Sequence, residues 1–384
     1  MSHITLTEKL DDYIKKALVN YDLPGLAVGV QKWPDESSSK DRGEISGADG
    51  INSAVETGCA GGIRGAGAFT YYQAAGYRDL PDKKPLHPEH IFHMASITKL
   101  FVGTAIMQLW EKGLLDPDDL LTDYLPWFRM EDERFREITL RRLLSHTSGM
   151  PDVEDYRWDK PETDEGALER YVRSAEVSGA RLLWSPAEGK FAYSNMGYEI
   201  LGAVIAAVSG ESFEDYVRKN IFEPLGMKDS TLRSYERGIY DEKGPDENLC
   251  TPHEKNEKKE IVRAKHFPYN RAHAPSSTLT SNLMDLGKWA EAHLKRRLLG
   301  EETYKAAWEK QALVPNNGEY ICLSWFRREQ NGYVLYGHEG TDDGFRASFW
   351  ICPELMLSIT VCSNLSGAPV KKINKQIFDL LLAE

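Results

Sequence analysis

The stretch His93-Met94-Ala95-Ser96-Ile97-Thr98-Lys99-Leu100-Phe101 decides how the rest of the chain is read. A polar, extended approach ends at Ala95. Ile97, Leu100, Phe101, Thr104, Ala105, Met107, Gln108, Leu109 and Trp110 then predict a long, mostly apolar helix that stops at Gly113. Ser96 falls at the helix N-terminus and Lys99 one turn on. Positions i and i+3 share a helix face, about 5–6 Å apart at Cβ, so the amine can reach the hydroxyl. The first N–H groups of a helix have no intrahelical partner, so the Ser96 N–H can stabilise an oxyanion. An amine on an apolar helix loses proton affinity and can act as a base. The bland alternative is a capping serine beside a solvated lysine.

Ser-x-x-Lys alone is a weak signal. It occurs a second time at Ser37 to Lys40, in a polar run with no apolar helix after it, and that copy reads as a loop accident.

At 384 residues the chain exceeds the about 250–300 residues that one core usually serves, which favours two subdomains. The net charge of −12, with no basic stripe interleaved with aromatics, argues against nucleic acid and anionic membrane as partners. Five scattered cysteines with no Cys-x-x-Cys pair fit reduced thiols. No run reaches the ~20 apolar residues of a membrane span, and the N-terminus has no leader-like pattern. A cytoplasmic protein is therefore expected.

Thr5-Leu6-Thr7-Glu8 has capping-box spacing ahead of a helix faced by Leu6, Leu10, Tyr13, Ile14, Ala17 and Leu18. Leu26 to Val30 and Ala68 to Ala74 predict strands, separated by a glycine- and serine-rich insertion from Trp33 to Gly67. Within it, Gly62-x-x-Gly65-x-Gly67 lacks the context of a phosphate cradle. Helices are predicted around Leu140 to Leu144, from Gly166 to Val177, from Met196 to Val208, from Ser212 to Phe222, from Asn282 to Leu298 and from Glu302 to Lys310. Met227 to Asn270 is charge-dense and reads as a long loop or lid. The last quarter turns to strands at Tyr320 to Phe326, Tyr333 to Tyr336, Phe345 to Ile351 and Leu355 to Cys362, closed by a helix from Val370 to Leu382. This order predicts an α+β fold: an antiparallel sheet built from both termini (1–95 and 311–384), flanked by helices, with an inserted helical subdomain (96–310). The site is expected at the seam.

Two further short patterns are unique in the chain: Tyr193-x-Asn195 and His338-x-Gly340. A serine nucleophile needs a base. Lys99 can serve if neutral, and Tyr193 can serve as a phenolate if a nearby ammonium lowers its pKa. Asn195 can hydrogen-bond the lysine or a substrate amide, and His338 can orient substrate or relay protons. Gly340 leaves room for substrate backbone, and the Thr341 N–H can complete an oxyanion hole.

Ser96-x-x-Lys99, Tyr193-x-Asn195 and His338-x-Gly340, in this order, resemble the three motifs of the serine β-lactamase and penicillin-binding-protein family, with the class C β-lactamase and esterase group as the nearest branch. Leu143 to Gly149 and Pro224-Leu225-Gly226-Met227 are also similar to family signatures. The resemblance implies a β-lactamase/transpeptidase-like fold and an acyl-enzyme mechanism, with Ser96 as nucleophile, Lys99 as its partner and Tyr193 as general base. Two departures stand out. His338 replaces the lysine that binds the carboxylate of penicillins, which shifts weight towards esterase-like substrates. Ala274 to Leu279 stands where the family usually shows a Gly-Gly pair.

The remaining candidates read blandly. His87, His90 and His93 are spaced by three but share no helical face, so no metal is assigned. His146 reads as a structural hydrogen-bonder, Glu339 as non-catalytic, and Trp184, Trp325 and Trp350 as core. No Gly-x-Ser-x-Gly elbow is present. The expectation is a serine hydrolase acting on an ester or amide of a small metabolite without a cofactor. An acyltransferase of the same fold, fed by a thioester donor, is the alternative, and a catalytically silent binding protein the third reading.

Overall fold

The computed structural model of the chain describes residues 5–34, 67–239, 241 and 244–383. The Ser37-x-x-Lys40 copy and nearly all of the Trp33 to Gly67 insertion lie outside the described residues.

A nine-stranded antiparallel sheet forms the frame. Its spatial order is Lys84–Pro85, Phe69–Asp79, Gly25–Lys32, Leu357–Ser363, Phe345–Cys352, Tyr333–Asp342, Phe326–Gln330, Tyr320–Ile321 and Ala312–Leu313. The two ends of the chain meet in its middle, with Val28 opposite Val361. Both central strands are buried on both faces, which is why Leu26 to Val30 reads as a continuous apolar run.

One face is covered by the helices Leu6–Asn20 and Val370–Leu382. The first opens on a complete capping box, Thr5 with Glu8. The second lays Ile373, Ile377, Phe378 and Leu381 against Val28, Leu335 and Ile359. The other face carries the helical half. There Thr98–Glu111 is the central helix, buried along nearly its whole length, packed by Asn195–Ser209 and Leu283–Leu294. At Gly103 a Cβ would stand 2.4 Å from the Ser324 hydroxyl, so this helix needs a bare backbone to reach the Ser324 turn.

Several elements differ from the sequence reading. The helix expected from Gly166 to Val177 is two short ones, Ala167–Val172 and Ala175–Ser178, because Ser174 caps a new start instead of continuing the first. The strand beginning at Tyr333 runs on to Asp342, so His338 and Gly340 lie inside it. The strand expected over Tyr320 to Phe326 is split by Ser324, whose φ is +69°. Met227 to Asn270 carries a turn at Ser234–Arg237 and a hairpin, His253–Lys255 with Ile261–Arg263. Leu249, Cys250, His253 and Tyr269 are buried, so these points of the stretch are pinned to the body.

Candidate active site

Ser96 is the middle residue of a 3-10 turn, Ala95–Ile97, that runs directly into the helix Thr98–Glu111. Ala95, just before it, has φ +48°, a left-handed conformation that costs a non-glycine residue of order 1–3 kcal/mol. The surroundings hold it there. The Thr98 hydroxyl donates to the Ala95 carbonyl (2.6 Å) and accepts from the Leu279 N–H, while the Met94 N–H donates to the Leu279 carbonyl.

Gly340 locks the same turn from the sheet. A Cβ there would lie 2.2 Å from the Met94 carbonyl oxygen. The residue therefore makes room for the serine turn. The neighbouring strand Phe326–Gln330 pairs only as far as Gly337, so the segment from His338 to Asp342 has a strand partner on one edge and the cleft on the other. Thr341 and Ser96 line that cleft together.

Lys99 is fully buried. Its Nζ lies 3.0 Å from Ser96 Oγ and donates to the Ser276 carbonyl at 2.8 Å. Burial pulls its pKa from 10.5 down to about 8, opposed by the negative charges of Glu199, Asp152 and Asp342. The segment Ala274 to Leu279 thus supplies the amine's second acceptor. Its Pro275 fills the space left by Gly202, where a Cβ would meet the proline ring at 2.1 Å.

Tyr193 reaches the same point from the extended approach to the helix Asn195–Ser209. Its phenol lies beside Ser96, and its ring lies 5.1 Å from Lys99 Nζ and stacks on His146 at 4.3 Å. Burial pushes its pKa well above 10. This works against the phenolate expected from the sequence: the resting tyrosine keeps its proton. His146, held at φ +53°, accepts the Ser194 N–H at Nδ1 and is kept neutral by burial, so it buttresses the tyrosine.

Asn195 is not bonded to the lysine. Its backbone N–H and its Nδ2 both donate to Asp152 Oδ1, at 2.8 and 2.9 Å, which fixes the amide at the cleft wall. His338 lies between Phe326 and Tyr193, with ring centroids 4.9 and 6.1 Å away. Its Nδ1 is 2.6 Å from the Glu339 carbonyl, which can only accept, so Nδ1 carries the proton. Burial, helped by the nearby Lys99, drives its pKa down to about 3. The ring is therefore neutral, and its Nε2, which has no partner, is an acceptor. A neutral ring brings no charge to pair with a carboxylate.

Ser96, Tyr193, Asn195, His338 and Thr341 line a cleft of about 440 Å³. Phe191, Phe326, Val314 and Trp350 make it largely apolar, and Lys371 at its far end is paired with Glu319. Trp350 thus lines the cleft as well as the core, and its indole N–H donates to the buried Glu339 carboxyl. The three early histidines do not converge on one point. His87 and His90 stack on each other, and His93 Nε2 bonds Asp342 at 2.8 Å.

Sequence reasoning missed Asp152, the Ser276 carbonyl and Asp342. Each acts on a motif residue from a distant segment, and nothing in its local sequence marks it.

A model of the Beta-lactamase family matches residues 51–383. The chain is 29% identical over 304 residues to "Protein flp" of Staphylococcus aureus strain MW2, covering 78% of this chain and 57% of that protein. It is 32% identical over 178 residues to "Penicillin-binding protein 4*" of Bacillus subtilis strain 168, covering 46% and 38%. The chain thus spans 57% of the length of the first of these curated relatives and 38% of the second. Among solved structures, the octameric penicillin-binding protein homologue from Pyrococcus abyssi superposes with a TM-score of 0.77 at 25% identity, over 98% of this chain and 77% of that one. The D-amino acid amidase from Ochrobactrum anthropi SV3 superposes with a TM-score of 0.73 at 20% identity, over 98% and 99%, a likeness of fold.

Proposed function

The chain belongs to the beta-lactamase family, and from that premise we propose that it is a serine hydrolase cleaving an ester or amide bond of a small molecule through an acyl-Ser96 intermediate. The observation that carries this reading is the 3.0 Å contact between Ser96 Oγ and a fully buried Lys99 Nζ. A hydroxyl becomes a useful nucleophile only with a base in hydrogen-bond reach. Of Lys99 and Tyr193, the lysine is the one that burial moves towards its basic form at neutral pH.

Neutral Lys99 takes the Ser96 proton as Oγ attacks the carbonyl carbon. The N–H groups of Ser96 and Thr341 receive the oxyanion. The carbon–leaving-group bond then breaks, and the departing oxygen or nitrogen takes the Tyr193 proton, which the Lys99 ammonium replaces. Water attacks the acyl-serine with the same groups in reverse. With an alcohol or amine in place of water the outcome is acyl transfer.

The apolar cleft walls suit an apolar acyl or leaving group. His338 Nε2 suits a substrate N–H or O–H rather than a carboxylate, so weak turnover of penicillin-like substrates is part of the proposal. The amidase name of one structural relative makes amides of small amino acids a sensible first panel beside p-nitrophenyl esters.

The test is intact mass after a fluorophosphonate probe. Wild type should gain one adduct and Ser96→Ala none. A Ser96→Ala protein that still gains the adduct, or an unlabelled wild type that turns over none of the panel, overturns the reading.

A further inference from the structure

Behind Lys99 lies a second layer of polar groups that the steps above do not use. Glu199, four residues after Asn195 on the helix Asn195–Ser209, is completely buried. Its Oε1 lies 3.3 Å from His273 Nδ1, and His273 is its one ion-pair partner among the described residues. His273 is itself buried, with Tyr171 and Tyr156 edge-on at 4.5 and 5.0 Å. Ser276 is wedged between this pair and the lysine. Its hydroxyl lies beside the Glu199 carboxyl but donates to the His273 carbonyl at 3.3 Å, and Glu199 Oε2 is left without a hydrogen-bond partner. Its own carbonyl receives Lys99 Nζ.

A buried carboxyl with an unsatisfied oxygen is expensive to keep. An apolar side chain of similar size would serve packing better. We infer that Glu199 is a positioning residue for Lys99: together with His273 and Ser276 it fixes the carbonyl that receives the amine, and it places a negative charge behind that amine. This rests on the reading of Lys99 as the base. The groups facing Lys99 are Asp152, Asp342 and Glu199, the neutral imidazoles of His146 and His338, and the phenols of Tyr193 and Tyr198. Those facing Glu199 are His273, Ser276, Tyr156 and Tyr171. Of the three carboxylates, Glu199 acts most strongly against the burial that lowers the lysine.

Taking a negative charge away makes the ammonium less favourable, so Lys99 loses its proton at lower pH. Glu199→Gln keeps the shape and removes the charge. The pH dependence of p-nitrophenyl ester acylation should then show its rising limb moved about one unit towards acid, the lower end for losing a close opposite charge. Glu199→Asp should keep the wild-type limb. A purely structural role would lower the plateau or the melting temperature and leave the limb in place. Glu199→Met, which replaces a buried charge with an apolar chain, is the second variant should the glutamine not fold, and it carries the same expected shift. An unmoved limb in a folded Gln or Met variant overturns the inference. Lys99→Ala separates the two layers. If it retains the wild-type rate, the reading of the lysine as base fails; if it is inactive and the limb of the Glu199 variants stays put, only the role of Glu199 fails.

Discussion

The pH dependence of acylation is the sharpest consequence of the buried amine. With Lys99 pulled down to about 8, roughly one molecule in eleven carries a neutral lysine at pH 7, and about ten in eleven at pH 9. The acylation rate should therefore rise about tenfold between those pH values and then level off. An ordinary lysine at 10.5 would give a rise of about a hundredfold over the same interval with no plateau in reach. His338 and His146 are both held neutral by burial and add no limb of their own between pH 6 and 9. The Tyr193 phenol, pushed well above its usual range, adds none below pH 10. One limb from one group is thus expected. The assay is the pre-steady-state burst of p-nitrophenol in stopped flow, which isolates acylation from deacylation. A flat profile from pH 7 to 9, or a limb centred near 6.5, would refute Lys99 as the base and point to a histidine.

Two further outcomes are expected. Asp152→Ala removes the acceptor that both N–H groups of Asn195 share, so KM for the small-molecule panel should rise while the position of the pH limb stays within about half a unit, since Glu199 remains the stronger charge on Lys99; steady-state kinetics across pH read both. Gly340→Ala forces a methyl group to 2.2 Å from the Met94 carbonyl, and the strand or the serine turn must give way. Overpacking of this kind costs about 1–3 kcal/mol, read by urea unfolding, and acylation per folded molecule should fall as well because the displaced turn is the one that carries Ser96.

The elements that make this fold were legible where their signals are local. The Thr5 capping box, the buried run at Leu26 to Val30, the apolar helix after Ser96 and the C-terminal stripe of Ile373, Ile377, Leu380 and Leu381, of which Leu380 is only half-buried, each state their own conformation. Propensity failed where a neighbour decided instead. Ser174 ends one helix by capping another, and Ser324 breaks a strand at the point where the Gly103 face of the central helix presses against it.

The sequence by itself determined which short segments carry chemistry-bearing side chains, and in what order, because a nucleophile with a lysine one turn away, a Tyr-x-Asn and a His-x-Gly are local patterns. What only the tertiary structure decided is the protonation of those groups. Whether Lys99 is a base, Tyr193 a phenol and His338 a neutral acceptor depends on desolvation and on carboxylates contributed by residues 152, 199 and 342, which lie 53, 100 and 243 positions from Lys99. Burial is a property of what the rest of the chain packs around a side chain, and no window of sequence around the side chain contains it.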